Sequence, residues 1–420
     1  MKNLLFILLF VISFNFNAKA SYILINMNDS QKNHLKAYGI AYWVLENDVE
    51  LEWLLNYEGG SFLVKNYTEI ENQCKIRGVS YSIIADSRAA KIKSDIANPQ
   101  VNQEVIKLEK APKIAVYTPK GKQPWDDAVT LVLTYAEIPY EEVYDSAVIM
   151  GALPEYDWLH LHHEDFTGQY GKFYARYGSF AWYRERQKKT EAMATKLGFN
   201  KVSDLKRAVA LKIRDYTAGG GFLFAMCSGI DSYEIALASQ GVDICAKIYD
   251  GDAADPNMNE KLDYSQTFAF KDFTLVTNPL EYEFSNLDAT TSHTDQTGQK
   301  EPFELFEFSA KWDIVPTMLC QNHVKQVKGF MGQSTDFFKK YLKADVLILG
   351  ENKKLKTVRY FHGEYGKGTW TFYGGHDPED YRHYVQDPPT DLNLHPNSPG
   401  YRLILNNILF PAAKKKKRKT

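Results

Sequence analysis

The segment that most narrows the folds open to this chain is Gly219-Gly220-Gly221-Phe222-Leu223-Phe224-Ala225-Met226-Cys227-Ser228-Gly229. Three glycines permit a tight reversal, and five apolar residues suit a strand buried on both faces. The small and polar residues after Cys227 suit the first turn of a helix. A strand that swings directly into a helix is the corner of a parallel α/β layer. It lifts the corner side chain above the sheet edge, beside unpaired N–H groups that favour negative charge. A cysteine in that place stands where a nucleophilic thiol would be held.

The surrounding pattern agrees with such a layer. From Lys113 onward, short apolar runs alternate with helical spacing, which predicts a mostly parallel sheet covered on both faces. Strands are expected at Ile114 to Tyr117, Tyr156 to His162, Phe222 to Met226 and Asp345 to Leu349. Thr357 to His362 and Thr369 to Tyr373 read as a hairpin turning at Glu364-Tyr365-Gly366-Lys367-Gly368. Helices are expected at Trp125 to Ala136, Tyr183 to Leu197, Val202 to Tyr216 and Tyr401 to Phe410. Residues 21 to 110 read separately, as a small α+β domain. Its expected parts are a strand at Tyr22 to Met27, a helix at His34 to Glu46 and a hairpin around Glu58-Gly59-Gly60. A helix at Thr68 to Lys75, a strand at Ser80 to Ala85, and a helix plus linker over Ser87 to Lys110 complete it. Residues 111 to 411 form the α/β domain, with loops and hairpins inserted around 246 to 330, and 412 to 420 are a basic tail.

Composition bounds the function. Fifty Lys and Arg against 52 Asp and Glu leave a formal charge of −2, so no global field points to nucleic acid. The run Lys414 to Lys419 is the exception and suits contact with an anionic surface. Residues 1 to 20 have the form of an export signal, with Lys2, an apolar core from Leu4 to Phe14 and Ala18-Lys19-Ala20 for cleavage. They imply a soluble periplasmic or secreted protein, and no later segment is long enough to span a membrane. Four scattered cysteines (Cys74, Cys227, Cys245, Cys320) are too few for a disulfide scaffold.

Three expected strands deliver reactive groups at their carboxyl ends, where open α/β sheets bind ligands. One ends in His160-Leu161-His162-His163-Glu164-Asp165, one in Cys227, and one in Gly374-Gly375-His376-Asp377-Pro378-Glu379. Thiol, imidazole and carboxylate are the parts of an activated nucleophile.

At these residues the chain resembles the class I glutamine amidotransferase-like superfamily, in particular a branch whose members are sometimes labelled asparagine synthetase B. Ala225-Met226-Cys227-Ser228-Gly229 is similar to that family's Gly-x-Cys-x-Gly elbow. Gly366-Lys367-Gly368 through Glu379 is similar to its terminal hairpin and His-x-Glu pair. The resemblance covers roughly residues 110 to 410 and implies a flavodoxin-like three-layer sandwich. It implies a cofactor-free cysteine hydrolase or amidase with Cys227 as nucleophile, His376 as base and Glu379 as the orienting carboxylate. The Ser228 N–H and the loop from His163 through Glu164 to Gly168 would supply the oxyanion hole, with His162 or His163 as an alternative base. Ala225 replaces the elbow's first glycine, and two residues separate His376 from Glu379 instead of one.

Other readings compete. His160 and His162 share a strand face, so with Asp165 they form a candidate set for zinc or a similar ion; hydrogen-bonded core histidines are the plain alternative. Asp250-Gly251-Asp252 with Asp255 is a carboxylate-rich turn without the closing glutamate of a calcium loop. Ser228-Gly229-Ile230-Asp231-Ser232 resembles the pyrophosphate loop of asparagine synthetases, but Ile230 and a missing residue spoil the paired glycines that phosphate needs. The aromatic run Tyr170, Phe173, Tyr174, Tyr177, Phe180, Trp182, Tyr183 suits a helical core, a lid, or a stacking surface for a carbohydrate or other small-molecule ligand in a non-catalytic binding protein.

Overall fold

The computed structural model describes residues 21–121, 123, 125–289, 302–381 and 388–413. The expected signal (1–20) and the basic run Lys414 to Lys419 lie outside them. The chain is a mixed α/β protein, and its described residues form two sheets.

The first sheet is wholly antiparallel. Strands β1 (Ser21–Ile25), β2 (Leu51–Leu55), β3 (Ser61–Lys65), β4 (Ser82–Ala85) and β5 (Glu104–Leu108) lie in the order β4-β1-β3-β2-β5. β5 falls inside the stretch expected to be helix and linker. Its alternating Val105, Ile106, Lys107, Leu108 pattern buries Ile106 and Leu108 in the sheet's core. Helix α1 (His34–Glu46) is capped by Asn33, whose side chain accepts the Lys36 N–H. Helices α2 (Thr68–Ile76) and α3 (Asp86–Ile96) complete this part.

The second sheet begins with β6 (Ile114–Tyr117), β7 (Glu141–Val143), β8 (Trp158–Leu161) and β9 (Phe222–Met226). β10 (Phe303–Leu305), β11 (Gln326–Val327), β12 (Phe337–Phe338), β13 (Leu347–Asn352), β14 (Thr357–Tyr365) and β15 (Gly368–Tyr373) follow. Their order is β11-β10-β13-β14-β15-β9-β8-β6-β7, with β12 on β14. The run β15-β9-β8-β6-β7 is parallel; the strands beyond β15 pair antiparallel and come from the long segment between β9 and β15.

Alternation along the parallel strands divides the core. Ile114, Val116, Phe224 and Met226 face α1, helix α4 (Ala128–Ala136) and the closing helix Pro399–Leu409. Ala115, Tyr117, Leu223 and Ala225 face the other layer. That layer contains, after the short helices α5 (Asp145–Ile149) and α6 (Tyr174–Tyr177), the longer α7 (Ala181–Lys196), α8 (Val202–Gly219) and α9 (Ser228–Ala238).

The two sheets share one core because α1 lies between them, with ten of its thirteen residues buried. It crosses α4 so closely that a Cβ on Gly39 would stand 1.9 Å from the Ala136 carbonyl oxygen. Arg402 of the closing helix, fully buried, donates to the carbonyls of Met27 (3.0 Å) and Gly59 and to the Tyr38 hydroxyl (3.2 Å). Asn406 donates to the carbonyls of Leu319 and Gln321 at 2.9 and 2.8 Å and accepts the Tyr38 hydroxyl. His34 stacks on His323 with ring centroids 4.3 Å apart.

Candidate functional site

The carboxyl ends of β6, β8, β9 and β15 meet, and each contributes side chains to one buried cluster. β9 delivers Cys227, which stands at the cap of α9 with φ +50° and ψ −139°. A non-glycine residue in that region is strained and persists only where its surroundings hold it. Here α9 is pinned by the Gly229 N–H, which donates to the His162 carbonyl, and a Cβ on Gly229 would lie 2.3 Å from that oxygen. The Ile230 N–H turns back to the Cys227 carbonyl, so Ser228 presents the first amide of the helix at the corner.

β15 delivers His376, fully buried, whose Nε2 lies 2.8 Å from Asp126 Oδ1. Burial alone would lower the His376 imidazole. The hydrogen bond to Asp126, the Asp126 charge and the neighbouring Cys227 outweigh burial and raise it to about 10. Cys227, His376 and Asp126 thus place a thiol, an imidazole and a carboxylate in one buried cluster, with the imidazole bonded to Asp126. The Gln333 N–H donates to Cys227 Sγ at 3.3 Å, and Gly332 leaves room for the thiol: a Cβ there would stand 3.1 Å from Sγ.

The carboxylate bonded to His376 is thus Asp126 and not Glu379. Two residues beyond His376 the chain turns, and Glu379 Oε2 lies 3.3 Å from His395 Nδ1 and accepts the Tyr381 hydroxyl at 3.1 Å. Of the expected oxyanion and pocket residues, Ser228, His162 and His163 are at the cluster; the rings of His162 and His163 stack at 3.9 Å and lie 4.7 and 4.9 Å from that of His376. Glu164 is instead half of an internal ion pair, with Arg186 at 3.1 Å and the Tyr144 hydroxyl at 3.1 Å. Gly168 is a turn residue with φ +84°, pressed against the backbone of Ser203 on α8.

β8 delivers His160 and His162, and the carboxylate facing them is Asp127. Its Oδ2 lies 3.3 Å from His160 Nε2, 3.1 Å from His162 Nδ1 and 3.9 Å from His163 Nε2. Burial pushes the Asp127 carboxyl up, but His160 and His162 outweigh it and hold it well below the usual carboxylate range. Burial also lowers His162 to about 4, against the pull of Asp127. Asp165, expected as the third member of this set, is turned the other way. It accepts the Thr167 N–H (2.6 Å), the Thr167 hydroxyl (2.5 Å) and the Gly171 N–H (3.0 Å), which fold its own loop.

Asp126 and Asp127 escaped the sequence reading, although Trp125-Asp126-Asp127 follows a strand's carboxyl end and opens a helix, which is the available signal. The aromatic run packs beside the cluster: Phe173 lies 5.4 Å from Trp125 and 5.8 Å from Tyr282, and Trp182 lies 6.0 Å from Trp125. The acidic turn already has its cation. Lys201 Nζ lies 2.5, 3.2 and 2.6 Å from Asp243, Asp250 and Asp252, while Asp255 pairs with Lys261. All four cysteines are free thiols. Among the described residues no helix is long and apolar enough to cross a membrane.

No protein-family model and no curated protein matches the chain. Solved structures similar to it include cytoplasmic protein STM3548 from Salmonella typhimurium, at 11% identity with a TM-score of 0.34. Another is cytoplasmic protein STM1381 from Salmonella typhimurium LT2, at 12% identity with a TM-score of 0.36. Each match covers 72% of this chain and 100% of the other. Both are described as cytoplasmic, the opposite of the exported location expected from residues 1 to 20, and the expectation of export is withdrawn on that finding.

Proposed function

We propose that the chain is a cysteine-dependent hydrolase acting on an amide or related acyl bond, of the class I glutamine amidotransferase-like kind. The observation that carries this reading is Cys227 at a positive-φ strand-to-helix corner, beside the His376 imidazole whose Nε2 lies 2.8 Å from Asp126. The strand order supports the same class: taken in chain order, β7-β6-β8-β9-β15 reads 2-1-3-4-5, the flavodoxin-like arrangement with its ligand site at the carboxyl edge.

In this mechanism the Cys227 sulfur attacks the carbonyl carbon, and its proton resides on His376. The charge that develops on the carbonyl oxygen meets the Ser228 N–H at the start of α9. His376 then protonates the departing amine, leaving an acyl-cysteine. Water, deprotonated by His376, breaks that thioester and restores the thiol. Asp126 holds the imidazole in place throughout. Cys227 is 2% exposed, so the reading favours a small acyl group over a folded protein chain.

Iodoacetamide labelling followed by peptide mass spectrometry tests the assignment. Cys227 is expected to react first, ahead of Cys74, whose thiol burial pushes up to about 12, and ahead of Cys245 and Cys320, which burial also raises. His376→Gln should slow Cys227 labelling at least about tenfold, the equivalent of roughly 1.4 kcal/mol. Labelling of Cys227 no faster than that of the other three would remove the nucleophile and leave a binding protein on the same fold.

A further inference from the structure

We propose that Asp127, His160 and His162 form a binding site for a first-row divalent metal ion, with zinc the best match to the donor set. The separations fit one. Donors about 2.0–2.1 Å from a tetrahedral ion lie about 3.3 Å from one another, and Asp127 Oδ2 is 3.3 Å from His160 Nε2 and 3.1 Å from His162 Nδ1. All three donor atoms lie within 4.8 Å of one another.

These contacts are not ordinary hydrogen bonds. Neither His160 Nε2 nor His162 Nδ1 is aligned to bond the carboxylate, and both are buried with no other partner. Two orphaned imidazole nitrogens in a core are costly unless something outside the chain satisfies them. A cation on which the lone pairs converge does so.

The supporting groups are arranged as around a metal. His160 Nδ1 lies 3.3 Å from the Phe224 carbonyl, which fixes the proton on Nδ1 and leaves the Nε2 lone pair facing Asp127. The second oxygen of Asp127 accepts the Thr130 N–H at 2.8 Å, so the carboxylate is held by the first turn of α4. Trp158 and Phe224 lie against His160 with ring centroids 6.0 and 5.7 Å away, a dry and rigid wall. Imidazole and carboxylate donors suit zinc, and three protein ligands leave a fourth position for water or a ligand, the arrangement of reactive rather than closed zinc sites. His163 Nε2, 3.9 Å from the same carboxylate oxygen, borders that position. In the acidic turn, by contrast, Lys201 already stands among the carboxylates of Asp243, Asp250 and Asp252.

The site uses none of Cys227, His376 or Asp126, so it stands or falls apart from the hydrolase reading. The full chain, stripped with chelator and dialysed against Zn2+, is expected to retain one zinc per chain by elemental analysis, as is Cys227→Ser. Asp127→Asn and His160→Phe, checked for native near-UV circular dichroism, should bind it at least tenfold more weakly. Should those variants misfold, wild-type protein loaded with Co2+ should show the intense visible bands of a tetrahedral ion without a thiolate charge-transfer band. No retained zinc and no such bands would overturn the proposal. So would equal retention by the folded variants, or a thiolate band that Cys227→Ser abolishes.

Discussion

Two buried polar clusters of this molecule look alike in composition and differ in completeness. The joint between the sheets gathers Arg402, Tyr38, Asn406 and His34; the carboxyl edge of the parallel strands gathers His160, His162, His376 and two aspartates. In the joint the polar atoms find partners: Arg402 has two carbonyls and a hydroxyl, and Asn406 has two carbonyls and a hydroxyl. His34 Nε2 meets the Met27 carbonyl and Nδ1 meets Asn397, each at 3.0 Å. At the edge, His160 Nε2 and both nitrogens of His162 have no hydrogen-bond partner. A closed network fixes how two layers dock, whereas an open one in an equally buried place is arranged for something that arrives later.

Substitutions separate the two kinds of cluster. Arg402→Ala should cost on the order of 3–5 kcal/mol in urea unfolding, because it takes the Arg402 donors from the Gly59 carbonyl and the Tyr38 hydroxyl, leaves the Met27 carbonyl to His34 alone and empties a buried volume between the sheets. A loss under about 1 kcal/mol would mean that the joint is not what ties the layers together.

The joint histidines and His376 sit on opposite limbs of the pH profile, while His162, lowered to about 4, adds to the acid limb. Burial, with the charges of Arg402 and His323, lowers His34 to about 3, and burial with Arg402 lowers His323 to about 4. The unfolded chain then binds more protons than the folded one below pH 6.5, and the joint loses stability as pH falls from there. His376 is the reverse. Raised to about 10, it contributes stability that is complete below 6.5 and is lost as pH rises through 10. Urea midpoints measured from about pH 4 to 10 should therefore fall on both sides, and Asp126→Asn should flatten only the alkaline limb.

The smallest effect should come from the open cluster. Without metal, His160→Phe is expected to lie within about 1 kcal/mol of wild type, since it removes only the 3.3 Å Nδ1 contact to the Phe224 carbonyl, Nε2 had no aligned partner, and the new ring packs on Trp158 and Phe224. A cost close to that of Arg402→Ala would show that His160 is held by contacts the chain makes for itself.

Much of the scaffold was legible because its signals are local. The run Phe222 to Met226 with Cys227 at its end, the Gly366 turn and the helical spacing of Val202 to Tyr216 each need only neighbouring residues to be read. The site was half legible for the same reason. Cys227 and His376 end strongly apolar strands, but Asp126 lies 250 residues before His376 and joins it only because β6 and β15 are aligned by the strands between them. Glu379 was the attractive choice because it is close in sequence, yet the turn after His376 sends it to His395. Lys201 entering the acidic turn, and β5 closing the first sheet, are likewise long-range facts without a local pattern.

The crossing at Gly39 has a mechanical meaning. Helix α4 is nine residues long, about 13 Å, with Asp127 at its first end and Ala136 seated on Gly39 at its last. It acts as a strut. Sliding the antiparallel sheet and α1 along this contact would carry the strut with it and shift the carboxylate at the far end, so the placement of that charge is gauged against a layer that contributes none of the site's own side chains.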